Sequence, residues 1–111
     1  MDELKNIVNL KASAAEFIAV LLFVFIGAGV VVSTGTLTQE MTPARLTAIA
    51  LAHGLTICML VYATAHISGG HINPAVTIAT MITGKTPVIK GAMFIIAQLL
   101  GGIVGAYLLY I

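Results

Sequence analysis

"HISGGHINPAVT", residues 66–77, decides how this chain reads. Two histidines, two glycines, an asparagine and a proline interrupt an otherwise apolar sequence. Gly-Gly stops a helix, and Asn-Pro starts a new one. In the new helix Asn73 is the N-cap, Pro74 is N1, Ala75 is N2 and Val76 is N3. The Asn73 side-chain oxygen is then expected to accept a backbone N–H from Ala75 or Val76. Its NH₂ stays free and points away from the helix. Pro74 loses no hydrogen bond at N1, because that N–H has no helical partner anyway.

The sequence around this stretch says what solvent it sits in. The 111 residues are 59% hydrophobic and only 8% charged, with a mean hydropathy of +1.10. A soluble domain carries about 25% charged residues, so too few are present here to cover a wet surface, and the expected solvent is lipid. The net charge of +1 says nothing about nucleic acid, but no basic patch interleaved with aromatics is present, which argues against that class. A lone cysteine, Cys58, forms no internal disulfide and reads as a small buried hydrophobe. The run from Glu16 to Val32 is longer than a secretory h-region and has no clean cleavage site, so it reads as a span.

No Asp, Glu, Lys or Arg occurs in residues 17–39, 46–84 or 91–111. A span needs about 20 residues. The first run gives a span over residues 12–33, closed by "STGTLTQEMT". Thr42-Pro43 supplies an N-cap and a first-turn proline, so the second span covers 43–66. The third follows "TGKTP" and covers 88–111. Between the last two lies a loop and half-helix, 67–83. From Pro74 to Thr83 it has helical character over roughly 15 Å, half a bilayer. "AVTIATMI" lacks the charged face of an interfacial helix, so a re-entrant half-helix is expected. With a cytoplasmic N-terminus, Lys5, Lys11, Lys85 and Lys90 lie inside and Arg45 outside, as the positive-inside rule favours. Small residues four apart (Ala15 and Ala19, Ala48 and Ala52, Gly101 and Gly105) suit close helix packing in lipid.

At mid-membrane, the tip of the half-helix carries about half a positive charge from its aligned peptides. It repels cations, hydrated protons included, and attracts oxygen lone pairs. Upstream, residues 68–72 read as extended chain. Such backbone is tolerated at this depth only against protein or a water-filled cavity. Gly69 and Gly70 let the backbone itself form a wall. A row of carbonyl acceptors ending at the Asn73 amide describes a path for a small neutral polar solute.

The string "SGGHINPAVT", with "AEFIAVLLFVFIGAG" before it and "IIAQLLGGIVGAYLL" after it, resembles the first repeat of the aquaporins, the major intrinsic protein family. The resemblance covers essentially the whole chain. It implies an all-α integral membrane fold of three transmembrane helices plus one re-entrant half-helix, half of an aquaporin-like inverted-repeat bundle. Asn73, Pro74 and Ala75 match the signature triplet, and Gly69, Gly70, His71 and Ile72 match the carbonyl-lined segment. Glu16 matches the family's buried glutamate, which holds that loop. The residues themselves agree, since an intramembrane carboxylate needs partners. His53 matches the second-span member of the narrow outer filter; histidine there is similar to the plant tonoplast type, which often admits water with urea or ammonia. Phe23 and Ile57 match apolar pore-wall positions, and His66 and Gln98 match polar residues that brace the loop.

The resulting expectation is a passive channel for water, extending to small uncharged solutes such as urea, ammonia or glycerol. Its partners would be the lipid bilayer, the solute, a second aquaporin-like repeat needed to close the pore, and sister subunits in a homotetramer. The alternative is a non-conducting half-channel fragment acting only in assembly, because one repeat encloses no pore. An enzyme using His53, His66 or Cys58 finds no nucleophile–base spacing. His66 and His71, five apart without a carboxylate or thiol cluster, do not read as a metal site, and no cofactor is expected.

Overall fold

The computed structural model describes residues 2–111, and side-chain surroundings from residue 5 onward. It is all helical: α1 (Asp2–Leu37), α2 (Pro43–Ser68), α3 (Pro74–Ile82) and α4 (Val88–Tyr110). Three of these, α1, α2 and α4, are long and apolar enough to cross a membrane. Helix α1 extends ten residues N-terminal to the apolar run that marks its span. Nothing in "DELKNIVNLK" breaks a helix, so hydropathy marks the membrane portion and not the helix end. At 1.5 Å per residue its 36 residues make a rod of about 54 Å, which sets the 55 Å length of the molecule.

The helix starts follow local chemistry. Thr42 accepts the Arg45 N–H at 3.1 Å ahead of Pro43, and Asn73 accepts the Ala75 N–H at 2.8 Å ahead of Pro74. Each is an N-cap followed by proline at N1. Helix α2 ends where Gly69 takes a left-handed conformation (φ 92°) and donates its N–H to the Ala65 carbonyl at 3.0 Å. Such a stop favours glycine, which has no Cβ to clash.

Helix α1 is the centre of the arrangement. It packs against α2 on one side and α4 on the other, and α3 packs on α4. Helices α2 and α4 do not meet, so the three long helices form an open row and not a closed ring. The α1–α4 contact is backbone against backbone. A Cβ on Gly101 would collide with the Phe17 carbonyl, and one on Gly105 would meet the Leu21 carbonyl at 2.5 Å. Four residues further on in each helix, the same contact recurs, so α1 and α4 run parallel. Helix α2 runs antiparallel to α1. Arg45 reaches Val31 and Thr34, His53 lies against Gly27, and Ser68 bonds Glu16. The Arg45 guanidinium closes the α1–α2 turn, donating to the Thr34 hydroxyl at 3.0 Å, the Gln39 carbonyl at 3.3 Å and the Val31 carbonyl at 3.0 Å.

The buried apolar core is small: a cluster of Ala19, Val20 and Ile72, with Phe23, Val24, Ile57 and Leu60 packed on it, and Ala12 and Phe94 buried apart from that cluster. Large apolar side chains face outward instead, among them Leu51, Leu55, Met59 and Tyr62 along one stripe of α2. In lipid that exposure carries no hydrophobic penalty, since hydrocarbon chains replace water as the neighbour. Cys58 corrects an expectation. It is exposed rather than buried, because it lies next to Met59, on the side of α2 turned away from α1.

Helix α3 is short, nine residues or roughly 13 Å, and its height is fixed by two contacts. Thr77 bonds Gln98, and Met81 lies against Gly91, so α3 runs antiparallel to α4. Gln98 is the eleventh of the 23 residues of α4. The α3 N-terminus therefore stands at half the height of the long helices, and its C-terminus returns to the level where α4 begins.

Candidate functional site

The site is built around one carboxylate. Glu16 is fully buried on α1, and four donors converge on it. Oε1 accepts from the Ser68 hydroxyl at 2.7 Å and the His71 N–H at 3.0 Å. Oε2 accepts from the Ile72 N–H at 2.7 Å and the Gln98 side-chain amide at 2.8 Å. Ser68 in turn accepts the Gly70 N–H at 3.2 Å. Every backbone donor from Gly69 to Ile72 is thus spent on protein, as buried N–H groups require.

The carbonyls of the same four residues are in the opposite condition. Among the described residues, those of Gly69, Gly70, His71 and Ile72 accept no hydrogen bond. One side of the loop is saturated with bonds to Glu16, and the other offers only acceptors.

The loop is not the extended chain expected for residues 68–72. Ser68 closes α2, and Gly69, Gly70 and Ile72 all have positive φ, at 92°, 66° and 55°. Left-handed residues turn successive N–H groups to one side, so two neighbouring amides can meet one carboxylate. Ile72 is β-branched, and its conformation costs about 1–3 kcal/mol. Two things hold it there: the 2.7 Å bond to Glu16 and burial of its side chain against Ala19 and Val20. At Gly70 a Cβ would sit at ordinary contact distance from the Val61 backbone, 3.5 Å, so it is the positive φ and not the space that favours glycine.

At the tip, Asn73 is exposed. Its Oδ1 is occupied by the Ala75 N–H, and its Nδ2 has no partner among the described residues. Pro74 and Ala75 complete the first turn. Below the tip, Thr77 is fully buried and joins three parts of the site. It meets His71 Nδ1 at 2.9 Å, receives the Gln98 amide at 3.0 Å and donates to the Asn73 carbonyl at 3.3 Å. The His71 ring also stands edge-on to the buried Phe94, with centroids 5.2 Å apart.

His53 lies one layer toward the α1–α2 turn. Its Nδ1 is 2.8 Å from the Ile49 carbonyl. A carbonyl only accepts, so Nδ1 carries the hydrogen and Nε2 is left as the second ring nitrogen. The ring fills the space that the missing side chain of Gly27 leaves, and it meets Phe23 edge-on at 5.7 Å. Phe23 and Ile57 both touch the Ile72 cluster.

The structure thus brings together Glu16, Gly69, Gly70, His71, Ile72 and Gln98, with Asn73, Pro74 and Ala75 just above and Phe23, Ile57 and His53 beside them. His66 is the exception. It was expected to brace the loop with Gln98, but it is exposed and bonds nothing in the loop. Ser68 and Thr64 sit on the face of α2 turned to Glu16, and His66 lies two residues, about 200°, from either. Bracing falls instead to Ser68 and Thr77, which sequence reasoning did not single out. The signals were there: a hydroxyl before Gly-Gly, and another four residues after Asn73.

A family model described as "Major intrinsic protein" matches residues 3–111. The chain belongs to the major intrinsic protein family. Among curated proteins it is similar to "Aquaporin-4" of Mus musculus, at 46% identity over 101 residues, covering 91% of this chain and 31% of that protein. It is also similar to "Aquaporin TIP1-2" of Musa acuminata, at 47% over 103 residues (91% and 41%), and to "Probable aquaporin TIP2-2" of Oryza sativa subsp. japonica, at 44% over 109 residues (96% and 44%). The chain spans less than half the length of these curated relatives. Family membership and the three apolar helices make it an integral membrane protein, of a family of channels and not enzymes.

Proposed function

We propose that this chain supplies half of a passive transmembrane pore for water, extending to small uncharged solutes such as urea, ammonia or glycerol. A second, inverted repeat faces it to enclose the path, and the full-length assembly is a homotetramer. The N-terminus is cytoplasmic, and the half-helix enters from that side.

The observation that carries this reading is the one-sided bonding of residues 69–72. Four unpaired carbonyls lead to the free amide of Asn73 at half the height of the long helices. A water molecule moving along them donates to one carbonyl after another, then accepts from Asn73 Nδ2. The positive end of α3 opposes any cation at the same point. His53, beside Phe23, narrows the path on the other side of the tip, where its Nε2 gives a solute a polar contact. Glu16 acts on the path only through the loop it holds.

Light scattering after an osmotic step on proteoliposomes tests the proposal. The assembled channel is expected to shrink vesicles faster than empty liposomes, and Asn73→Ala to slow it. Shrinkage at the rate of empty vesicles would overturn the reading. A second reading, an assembly fragment that conducts nothing, is favoured by the open row of α2, α1 and α4. It predicts that this chain associates with a separately made second repeat and that the pair still leaves vesicles impermeable.

A further inference from the structure

Helix α1 carries a glycine where a helix gains nothing from one. Gly27 lies well inside Asp2–Leu37, and only proline suits a helix interior less than glycine. Its φ is not positive, so no turn calls for it. The space beside it does. A Cβ at position 27 would stand 2.7 Å from His53 Nε2, 3.0 Å from Cδ2 and 3.2 Å from Cε1. The Nε2 end of the imidazole therefore rests in a notch in α1 that only the absence of a side chain provides.

The rest of the ring is held as well. Nδ1 is tied to the Ile49 carbonyl at 2.8 Å, and Phe23, one turn before Gly27, meets the ring edge-on at 5.7 Å between centroids. Helix α1 thus bounds the ring at two points and α2 at a third. Non-bonded atoms of this size settle at about 3.5 Å or more, so a methyl group at 27 would drive Nε2 back by about 0.8 Å. With Phe23 and residue 27 both on the α1 side, the ring can yield only away from α1. The neighbouring glycine makes the contrast: a Cβ on Gly54, beside His53 on α2, would meet nothing within 4 Å.

We propose that Gly27 is a positioning residue for selection among solutes, acting through His53: the notch seats the ring against α1, and residues 27 and 53 together set the width of the path at that level. This rests on the reading of His53 as a wall of the path. With the notch empty of side chain, the ring lies back and a solute broader than water has room. With a side chain at 27, the ring stands out from α1, and urea is hindered before water is. The effect on the urea-to-water ratio is about tenfold, the lower end of what one methyl group does in a close-fitting site.

Light scattering on proteoliposomes holding the assembled channel tests this, with water permeability read from an osmotic step and urea permeability from a urea gradient. Gly27→Ala should lower the urea-to-water ratio about tenfold, and His53→Ala should raise it. In the His53→Ala background Gly27→Ala should lose its effect, which a merely structural change at 27 would keep. Gly54→Ala should leave the native ratio. An unchanged ratio in Gly27→Ala, or the same fall with and without the His53 ring, overturns the proposal and leaves His53 as the wall. An unchanged ratio in His53→Ala, or a native channel no faster than empty vesicles, overturns both. In detergent the ring ¹⁵N and ¹³C shifts of His53 should move in Gly27→Ala and stay in Gly54→Ala; unmoved shifts in Gly27→Ala also count against it. If Gly27→Ala does not fold, circular dichroism of the double variant decides: regained helix supports the notch, and continued loss overturns it.

Discussion

Replacing Glu16 by glutamine changes one atom and separates the role of the carboxylate from that of its shape. Both native oxygens accept twice: Ser68 and His71 at one, Ile72 and Gln98 at the other. Glutamine keeps one oxygen and turns an NH₂ toward two donors. If the NH₂ takes the Oε1 place, Ser68 can rotate onto the Thr64 carbonyl, already 3.4 Å away, but the His71 N–H loses its acceptor. If it takes the Oε2 place, Gln98 can turn its unpartnered Oε1 inward, but Ile72 is orphaned and Thr77 loses the Gln98 amide. Either way one backbone N–H of the loop is stranded, at a cost of about 1–3 kcal/mol. Ile72, held at positive φ by that bonding, is then free to relax. Denaturant or thermal unfolding in detergent reads the cost, and hydrogen exchange of the 66–77 segment reads its place. Glu16→Gln should destabilise by about 1–3 kcal/mol and speed exchange at His71 or Ile72. Glu16→Ala should cost more, with the His71 and Ile72 N–H groups both stranded. A loss below about 0.5 kcal/mol, the spread of ordinary surface substitutions, with exchange in 66–77 unchanged, would refute the carboxylate as the loop's anchor.

Four other outcomes follow from the geometry. Asn73→Ala removes the α3 cap and should cost about 1 kcal/mol of stability by unfolding in detergent, and osmotic shrinkage of vesicles should slow as well. Gly27→Ala places a Cβ 2.7 Å from His53 Nε2, so the ring must move; the relative permeability to water and urea should change, with helix content by circular dichroism unchanged. Gly101→Val sets a branched side chain against the Phe17 carbonyl, and should lower the unfolding midpoint by an amount equivalent to about 1–3 kcal/mol. Arg45→Lys keeps the charge but not the three-point fork over residues 31–39, and a loss of about 1 kcal/mol with faster amide exchange in the α1–α2 turn is expected.

How much of this was legible in the sequence depends on the range of each interaction. The caps at Thr42 and Asn73 and the stop at Gly69 are local, decided within four residues, and they read directly. The family signature pointed to Glu16 and the loop together, because an intramembrane carboxylate demands donors. The identity of those donors was not legible. Ser68, His71, Ile72 and Gln98 lie 52 to 82 residues away along the chain, and only the parallel register of α1 and α4 brings Gln98 level with Glu16. The bracing role expected of His66 failed for the same reason, while His71 is held in the loop. Both are polar neighbours of Gly-Gly in sequence, but one ends up on the far side of a helix and the other inside the turn. The left-handed Ile72 ran against its own preference, and no local rule finds a residue whose strain is held by a distant partner.

The separation along the chain also has a consequence in time. A ribosome adding about 5–20 residues per second leaves Glu16 without its first partner for several seconds, since Ser68 is translated 52 residues later. During that interval the first span holds an unsatisfied carboxylate, which the insertion machinery must shelter or leave near the bilayer surface. The last partner, Gln98, arrives after 82 residues, so slowing translation before codon 98 should prolong the stage at which this protein is most exposed to quality control.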